Sequence, residues 1–288
     1  MIKSRPHKHT ASLSVLLLML LSASAVLLRG QAVTTARSEL FGIKFQPAVL
    51  RIVKEIEMKT GKTVYAEFRE LDDYQLGVSF IADEDGRAVV LVSPSVASDR
   101  KKVEAVVVHE LLHLRLRVQG YPSYIFSSSV KTAKGRAIDV EQGTINDLRS
   151  MIEHEVFKAE MAAFGLSNYI DLAGDTLKGA KARRGQTDGQ VDSINYARAV
   201  LEYLNPSDVQ ALKKVYQANG WKRALTDGDA IAVLIKRSPI TTPAGAEAVF
   251  KACIAKLYPP PSRTVRFTLT NDPSNKYFRQ LVINLRRS

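Results

Sequence analysis

Residues 106–116 read VVVHELLHLRL, an apolar run that carries two histidines and a glutamate in its middle. His109 and His113 are four residues apart, so on a helix their rings stand one above the other on the same face. Two imidazoles so placed can share a cation. Glu110 lies about 100° further round, close enough to touch a ligand of that cation without coordinating it, which is where a general base belongs.

The flanks support a helix. Ser98 and Asp99 offer an N-cap, Val103, Val106, Val107, Leu111, Leu114 and Val118 recur at three- and four-residue intervals, and Gly120 with Pro122 supplies a stop. A run this apolar is expected to be buried. Burying a carboxylate and two imidazoles without partners costs several kcal/mol, so something must compensate them, and a bound metal would.

The histidine inventory narrows the ligands. The chain has five histidines, of which His7 and His9 lie at the extreme N-terminus, leaving His109, His113 and His154. Three protein ligands plus a water make a catalytic zinc site, whereas structural sites are closed by four ligands, often thiolates. The chain has one cysteine, Cys253, which stands far from the motif and reads as a small buried hydrophobe.

Lys3, Arg5 and Lys8 precede an uncharged, mostly apolar stretch from Thr10 to Leu28, followed by Arg29 and small residues at Gly30 and Ala32. Residues 1–32 therefore read as an export signal, or as an uncleaved membrane anchor, since the stretch approaches the roughly 20 residues that span a bilayer. Either way the body of the protein is expected outside the cytoplasm: periplasmic, secreted or held at the outer face of the membrane. Removing this segment, which has four basic and no acidic residues, lowers the net charge from +12 to +8. The remaining surplus is concentrated between Lys251 and Ser288, where eight Lys and Arg face Asp272 alone. Such a tail suits an anionic envelope surface, or is simply a solvated face. Nucleic acid is not the expected partner. The helices from Ser207 to Lys236 could pass for a helix-turn-helix, but an export signal argues against it.

Working outward from the motif, Pro47 to Lys59 has helical periodicity through Val49, Leu50, Ile52, Val53 and Ile56, and Lys62 to Arg69 alternates like a strand. Gln75–Ala82 and Arg87–Ser93 follow as two apolar strands joined by turn residues. Downstream, Ile145–Phe164 reads as a helix with a possible N-cap at Thr144 and a stop at Gly165. It carries Glu153-His154-Glu155. His154 is the remaining histidine, while helical geometry places Glu155 nearer the centre of the apolar face and Glu153 on its flank, so all three stand as candidates for a third ligand. Residues 171–190 read as an exposed loop. Val191–Leu204, Ser207–Asn219, Thr226–Arg237 and Ala244–Leu257 read as helices, the second capped by Ser207. Val265–Leu269 and Phe278–Leu285 form a closing pair of strands.

The sequence HELLH, preceded by a helix and a short sheet, resembles the zincin metallopeptidases over roughly residues 45–165. The second helix with its EH pair resembles that of several poorly characterised bacterial HExxH proteins. The longer metzincin form does not fit, since Leu116 and Gln119 stand where it needs Gly and His. Arg115 departs from the family's apolar preference and calls for an acidic partner or a less enclosed helix end.

The resemblance implies an α+β, zincin-like fold: a short twisted sheet packed on the HExxH helix, followed by a mainly helical part. It divides the chain into a catalytic core at 33–170, the loop at 171–190 and a helical C-terminal subdomain at 191–288. It also implies a zinc metallopeptidase acting on protein or peptide, with Zn2+ held by His109, His113 and a third residue, for which His154 is taken, and with Glu110 as base. A non-catalytic zincin-fold binding or regulatory protein of the cell envelope is the alternative. Tyr121, Tyr124 and Tyr169 are weaker candidates for stabilising an oxyanion.

Overall fold

A computed structural model describes residues 39–288 apart from 73–74, 83–84, 129–136, 171–175, 184, 186–188, 203–204, 259–262, 272–278 and 288. The proposed export signal or anchor lies outside the described residues. Among them, no helix is long and apolar enough to cross a membrane. The architecture is α+β, dominated by helices with small mixed sheets.

A short antiparallel pair, β1 (Glu39–Leu40) and β2 (Ile43–Lys44), leads into helix α1 (Pro47–Thr60). Pro47 occupies the first turn, where its missing N–H costs nothing, and Gly61 closes the helix with φ 72°. Val49, Ile52, Val53 and Ile56 form its buried stripe, as the periodicity predicts.

Strands β3 (Tyr65–Phe68), β4 (Gly77–Ile81) and β5 (Ala88–Val92) make a sheet of order β3-β5-β4, with β3 parallel and β4 antiparallel to β5. The central β5, Ala-Val-Val-Leu-Val, is buried at every position, the pattern of a strand covered on both faces. The edge strand β4 is more open and runs beside the motif helix.

That helix, α2 (Arg100–Val118), starts where expected: the Asp99 side chain accepts from the backbone N–H groups of Lys101 and Lys102. It packs against α1, β4 and β5 on one side and against α3 (Ala137–Ala163) on another. A helix enclosed in this way needs apolar residues around most of its girth, and Val103, Val106, Val107, Val108, Leu111, Leu112, Leu114 and Leu116 are all buried.

Helix α3 begins earlier than the sequence indicates, so Thr144 lies inside it rather than at its N-cap. The stretch at 171–190 is not wholly loop: it holds α4 (Thr176–Ala182), whose Ala180 is buried against Tyr196, Leu212 and Tyr216. Helices α5 (Gly189–Glu202), α6 (Pro206–Ala218), α7 (Lys222–Arg237) and α8 (Pro243–Leu257) follow. The cap of α6 is Asn205, accepting from Ser207 N–H, not Ser207 itself.

The closing strands β7 (Arg263–Asn271) and β8 (Arg279–Arg287) pair antiparallel as expected. However, β8 also pairs in parallel with β6 (Ser123–Ser128), just after the motif helix. The C-terminal part therefore shares a sheet with the segment that follows the motif helix. Ile194, Leu201, Ile231, Phe250, Leu281 and Ile283 share one apolar cluster with Val107, Leu111 and Leu148.

Candidate metal centre

Helices α2 and α3 bring three histidines together. His109, His113 and His154 are buried or nearly so, and one ring nitrogen from each lies within 4.8 Å of the others. His109 and His113 face each other through their Nε2 atoms at 3.0 Å. That separation is close to the roughly 3.3 Å expected between two nitrogens bound to one tetrahedral zinc at 2.0–2.1 Å. Phe157, one turn beyond His154 on α3, meets all three rings edge-on and fixes their outer wall.

The rings are oriented from behind. His113 Nδ1 is 2.6 Å from Glu153 Oε2, and His154 Nδ1 is 2.7 Å from Glu202 Oε1 on α5. A carboxylate at Nδ1 holds the ring proton there and leaves the Nε2 lone pair free, the arrangement that metal-ligating histidines favour. His154 Nε2 meets Ser150 Oγ at 3.0 Å.

Both carboxylates are themselves held by arginines. Arg117 donates to Glu153 Oε1 at 2.8 Å, while Arg198 lies 3.5 Å from Glu202 Oε2 and donates to Asp147 at 2.8 Å. Burial alone would raise the Glu153 carboxyl, but Arg117, Arg149 and the His113 hydrogen bond outweigh it and hold Glu153 well below the usual carboxylate range. Burial lowers the pKa of His109 far below its ordinary value, reinforced by its two histidine neighbours. His113 is lowered too, chiefly by burial, with Glu153 opposing. Neutral imidazoles are what a metal requires.

The sequence-derived candidates for ligand and base each have a place. His154 joins His109 and His113. Glu153 backs His113 from the side away from the cluster, and Glu155 instead pairs with Lys158 on its own helix. Glu110 is buried beside the edge strand, its Oε2 accepting a hydrogen bond from Ser79 Oγ at 2.7 Å. The approach is close: a Cβ on Gly77 would stand 2.6 Å from Val106 Cγ1 and 3.1 Å from Glu110 Oε1. Arg115 has the acidic partner its position calls for, a two-pronged pair with Glu160 at 2.6 and 2.7 Å. Tyr121 donates to the Ile240 carbonyl, and Tyr124 stacks on Phe250 at 3.7 Å, so both are packing residues. Cys253 is fully buried, its thiol pushed up to about 12 by burial.

Two clefts meet at the cluster. The first, about 490 Å³, runs along β4 from Gln75 to Ser79 and is lined by Glu110, His109, His113 and His154 with Arg117, Arg149 and Arg198. The second, about 810 Å³, is more apolar and reaches His109 and His154 past Phe157, Met161 and Leu201. Sequence reasoning missed Ser79, Arg149, Arg198 and Glu202. Arg149 and Ser150 on α3 and Arg198 on α5 carried a local signal, each four residues before a polar partner on its own helix.

The donor set suits a metal ion. Three imidazoles with no thiolate fit zinc, and also copper, iron or nickel. No family model, curated protein or solved structure matches the chain.

Proposed function

We propose that this protein is a zinc-dependent hydrolase, a metallopeptidase of zincin-like architecture, with His109, His113 and His154 as ligands and Glu110 as general base. The observation that carries the reading is the conjunction of three convergent imidazoles, two of them backed by buried carboxylates, with a glutamate that lines the same cleft without belonging to the cluster.

Zinc bound there would lower the pKa of a water and polarise a scissile carbonyl. The chain's own groups do the rest. Ser79 orients the Glu110 carboxylate through Oε2, and Glu110 accepts the water's proton and returns it to the leaving amine. Strand β4 is the edge of its sheet and lines the cleft, so its outer backbone groups are suited to hydrogen-bond an extended peptide alongside. Glu153 and Glu202 hold His113 and His154 in their metal-binding tautomers.

The alternative, a binding protein that keeps the fold without turnover, has no use for Glu110 held at that place. The basic tip and apolar stretch of residues 1–32 support an exported enzyme, whether released or anchored, and the basic C-terminal stretch is compatible with an anionic envelope surface.

The test is metal content and hydrolysis measured together. Protein prepared without chelator should hold about one zinc per chain, lost in His109→Ala, His113→Ala and His154→Ala. Glu110→Gln should retain the metal while casein hydrolysis falls by about a hundredfold or more. Stoichiometric metal in the histidine variants, or undiminished hydrolysis in Glu110→Gln, would overturn the reading.

A further inference from the structure

Three arginines line the first cleft, and two of them have close anionic partners. Arg117 is bound to Glu153 at 2.8 Å and to the Pro122 carbonyl at 2.9 Å, and Arg198 is bound to Asp147 at 2.8 Å. Arg149 differs. Its side chain is only 29% exposed, its Nε, like that of Arg198, is buried without a hydrogen-bond partner, and, unlike the other two, it reaches a carboxylate among the described residues only at 3.7 Å, on Glu153 Oε1. That oxygen already accepts from Arg117, and the other oxygen of Glu153 faces His113 at 2.6 Å. Glu110, the remaining carboxylate of the cleft, is engaged by Ser79.

A guanidinium cannot shed its proton to relieve such burial, and with Glu153 shared and at 3.7 Å most of its donors are left for a second anion. Its fork matches a planar carboxylate in two parallel hydrogen bonds. Ser150 and Asn146 line the same cleft and can add neutral donors. Position limits the register as well: Arg149 lines the same cleft as the three histidines, and Glu153 spans from His113 Nδ1, on the side away from the cluster, to the guanidinium. An extended chain advances about 3.3–3.6 Å per residue. An anion on Arg149 therefore belongs to the same substrate, within a few residues of the bond held at the histidines.

We propose that Arg149 anchors a substrate carboxylate, so that the cleft selects peptides carrying a negative charge within a few residues of the scissile bond. This rests on the hydrolase reading above. The carboxylate has two sources, the free C-terminus of a short peptide or the side chain of Asp or Glu.

Four acetylated alanine tripeptides separate the sources: the free acid and its amide, and the amides bearing Glu or Gln at the centre. Binding is measured by calorimetry on zinc-loaded Glu110→Gln protein, and cleavage by mass spectrometry with wild type. The expected result is a preference of about ten- to a hundredfold for the charged member of one pair. A preference for acid over amide identifies the C-terminus, and one for Glu over Gln the side chain. Arg149→Met, introduced alongside, should erase the preference and Arg149→Lys should keep part of it, with zinc stoichiometry reporting that both variants fold. Equal binding within both pairs, or a preference that survives Arg149→Met, overturns the proposal. A preference in binding without cleavage by wild type would keep the anion site and sink the hydrolase reading. Cleavage without preference would do the reverse.

Discussion

Replacing Glu153 by glutamine tests whether this residue is a ligand or the support of one. Glutamine keeps the size of the side chain but turns one acceptor oxygen into a donor. Glu153 now serves His113 through Oε2 at 2.6 Å and Arg117 through Oε1 at 2.8 Å, with Arg149 at 3.7 Å. Whichever way the amide is turned, its NH2 faces the His113 ring proton or the Arg117 guanidinium, donor against donor. One charge-assisted hydrogen bond lost costs about 1.5–3 kcal/mol, and two arginines left without their counter-ion move the total towards the 3–5 kcal/mol typical of a broken buried pair. A loss on the order of 3 kcal/mol in the metal-free protein is expected by urea unfolding at pH 7. The carboxyl is held below its ordinary range in the fold, so its contribution is fully present above the unfolded value near 4.5 and is lost only as pH falls towards the depressed folded one. Zinc affinity, measured by chelator competition, should fall about ten- to a hundredfold because His113 loses its orienting partner. Complete loss of zinc, equal to that of His113→Ala, would make Glu153 a ligand and refute the assignment of His154. Unchanged affinity and stability would refute the supporting role.

Gly77→Ala should reduce turnover by about tenfold or more while leaving zinc content intact, because the added methyl would stand 2.6 Å from Val106 Cγ1 and 3.0 Å from Glu110 Cγ, so that β4 or the base must shift; unaltered kcat/KM would show that the approach of β4 is not needed. The metal-free protein should also lose stability as pH falls below about 6.5. His109 and His113 have lowered folded values, so the unfolded chain binds more protons in the window beneath the ordinary imidazole pKa. Urea midpoints at pH 7.5 and 5.5 check this. A higher midpoint at pH 5.5 would contradict neutral, buried rings.

The motif helix was legible because its information is local. Asp99, the apolar residues around its girth and the HELLH spacing lie within one run, and the structure places each as read. The strands β4 and β5 and the helix α1 were legible for the same reason, carried by periodicity and turn residues. The cap of α6 was misplaced because Asn205 and Ser207 are both polar and side-chain chemistry alone does not decide between them, whereas Thr144 was misplaced because α3 runs on upstream to Ala137, through Gly143. Strand β6 gave no periodic signal strong enough to be read. Its partner β8 is about 157 residues further along, pairing Ser123 with Gln280, and such pairing is created by tertiary contact.

The third histidine of the cluster shows where local reading stops. On α3 by itself, Glu155 is nearer the centre of the apolar face than His154, and helix geometry favours it. What brings His154 into the cluster is a set of partners contributed from elsewhere. Glu202, 48 residues later on α5, takes its Nδ1, and Arg198, itself paired with Asp147, braces Glu202 in turn. Glu153 is drawn the other way, to His113 and Arg117 on α2. Two adjacent residues of one helix thus face different helices, each carboxylate–imidazole pair running from one element to another. The cost of burying these polar groups is met only when α2, α3 and α5 are assembled together. Preorganisation of the cluster and stability of the helical core are then one property, and substitutions at Glu153 or Glu202 should move both.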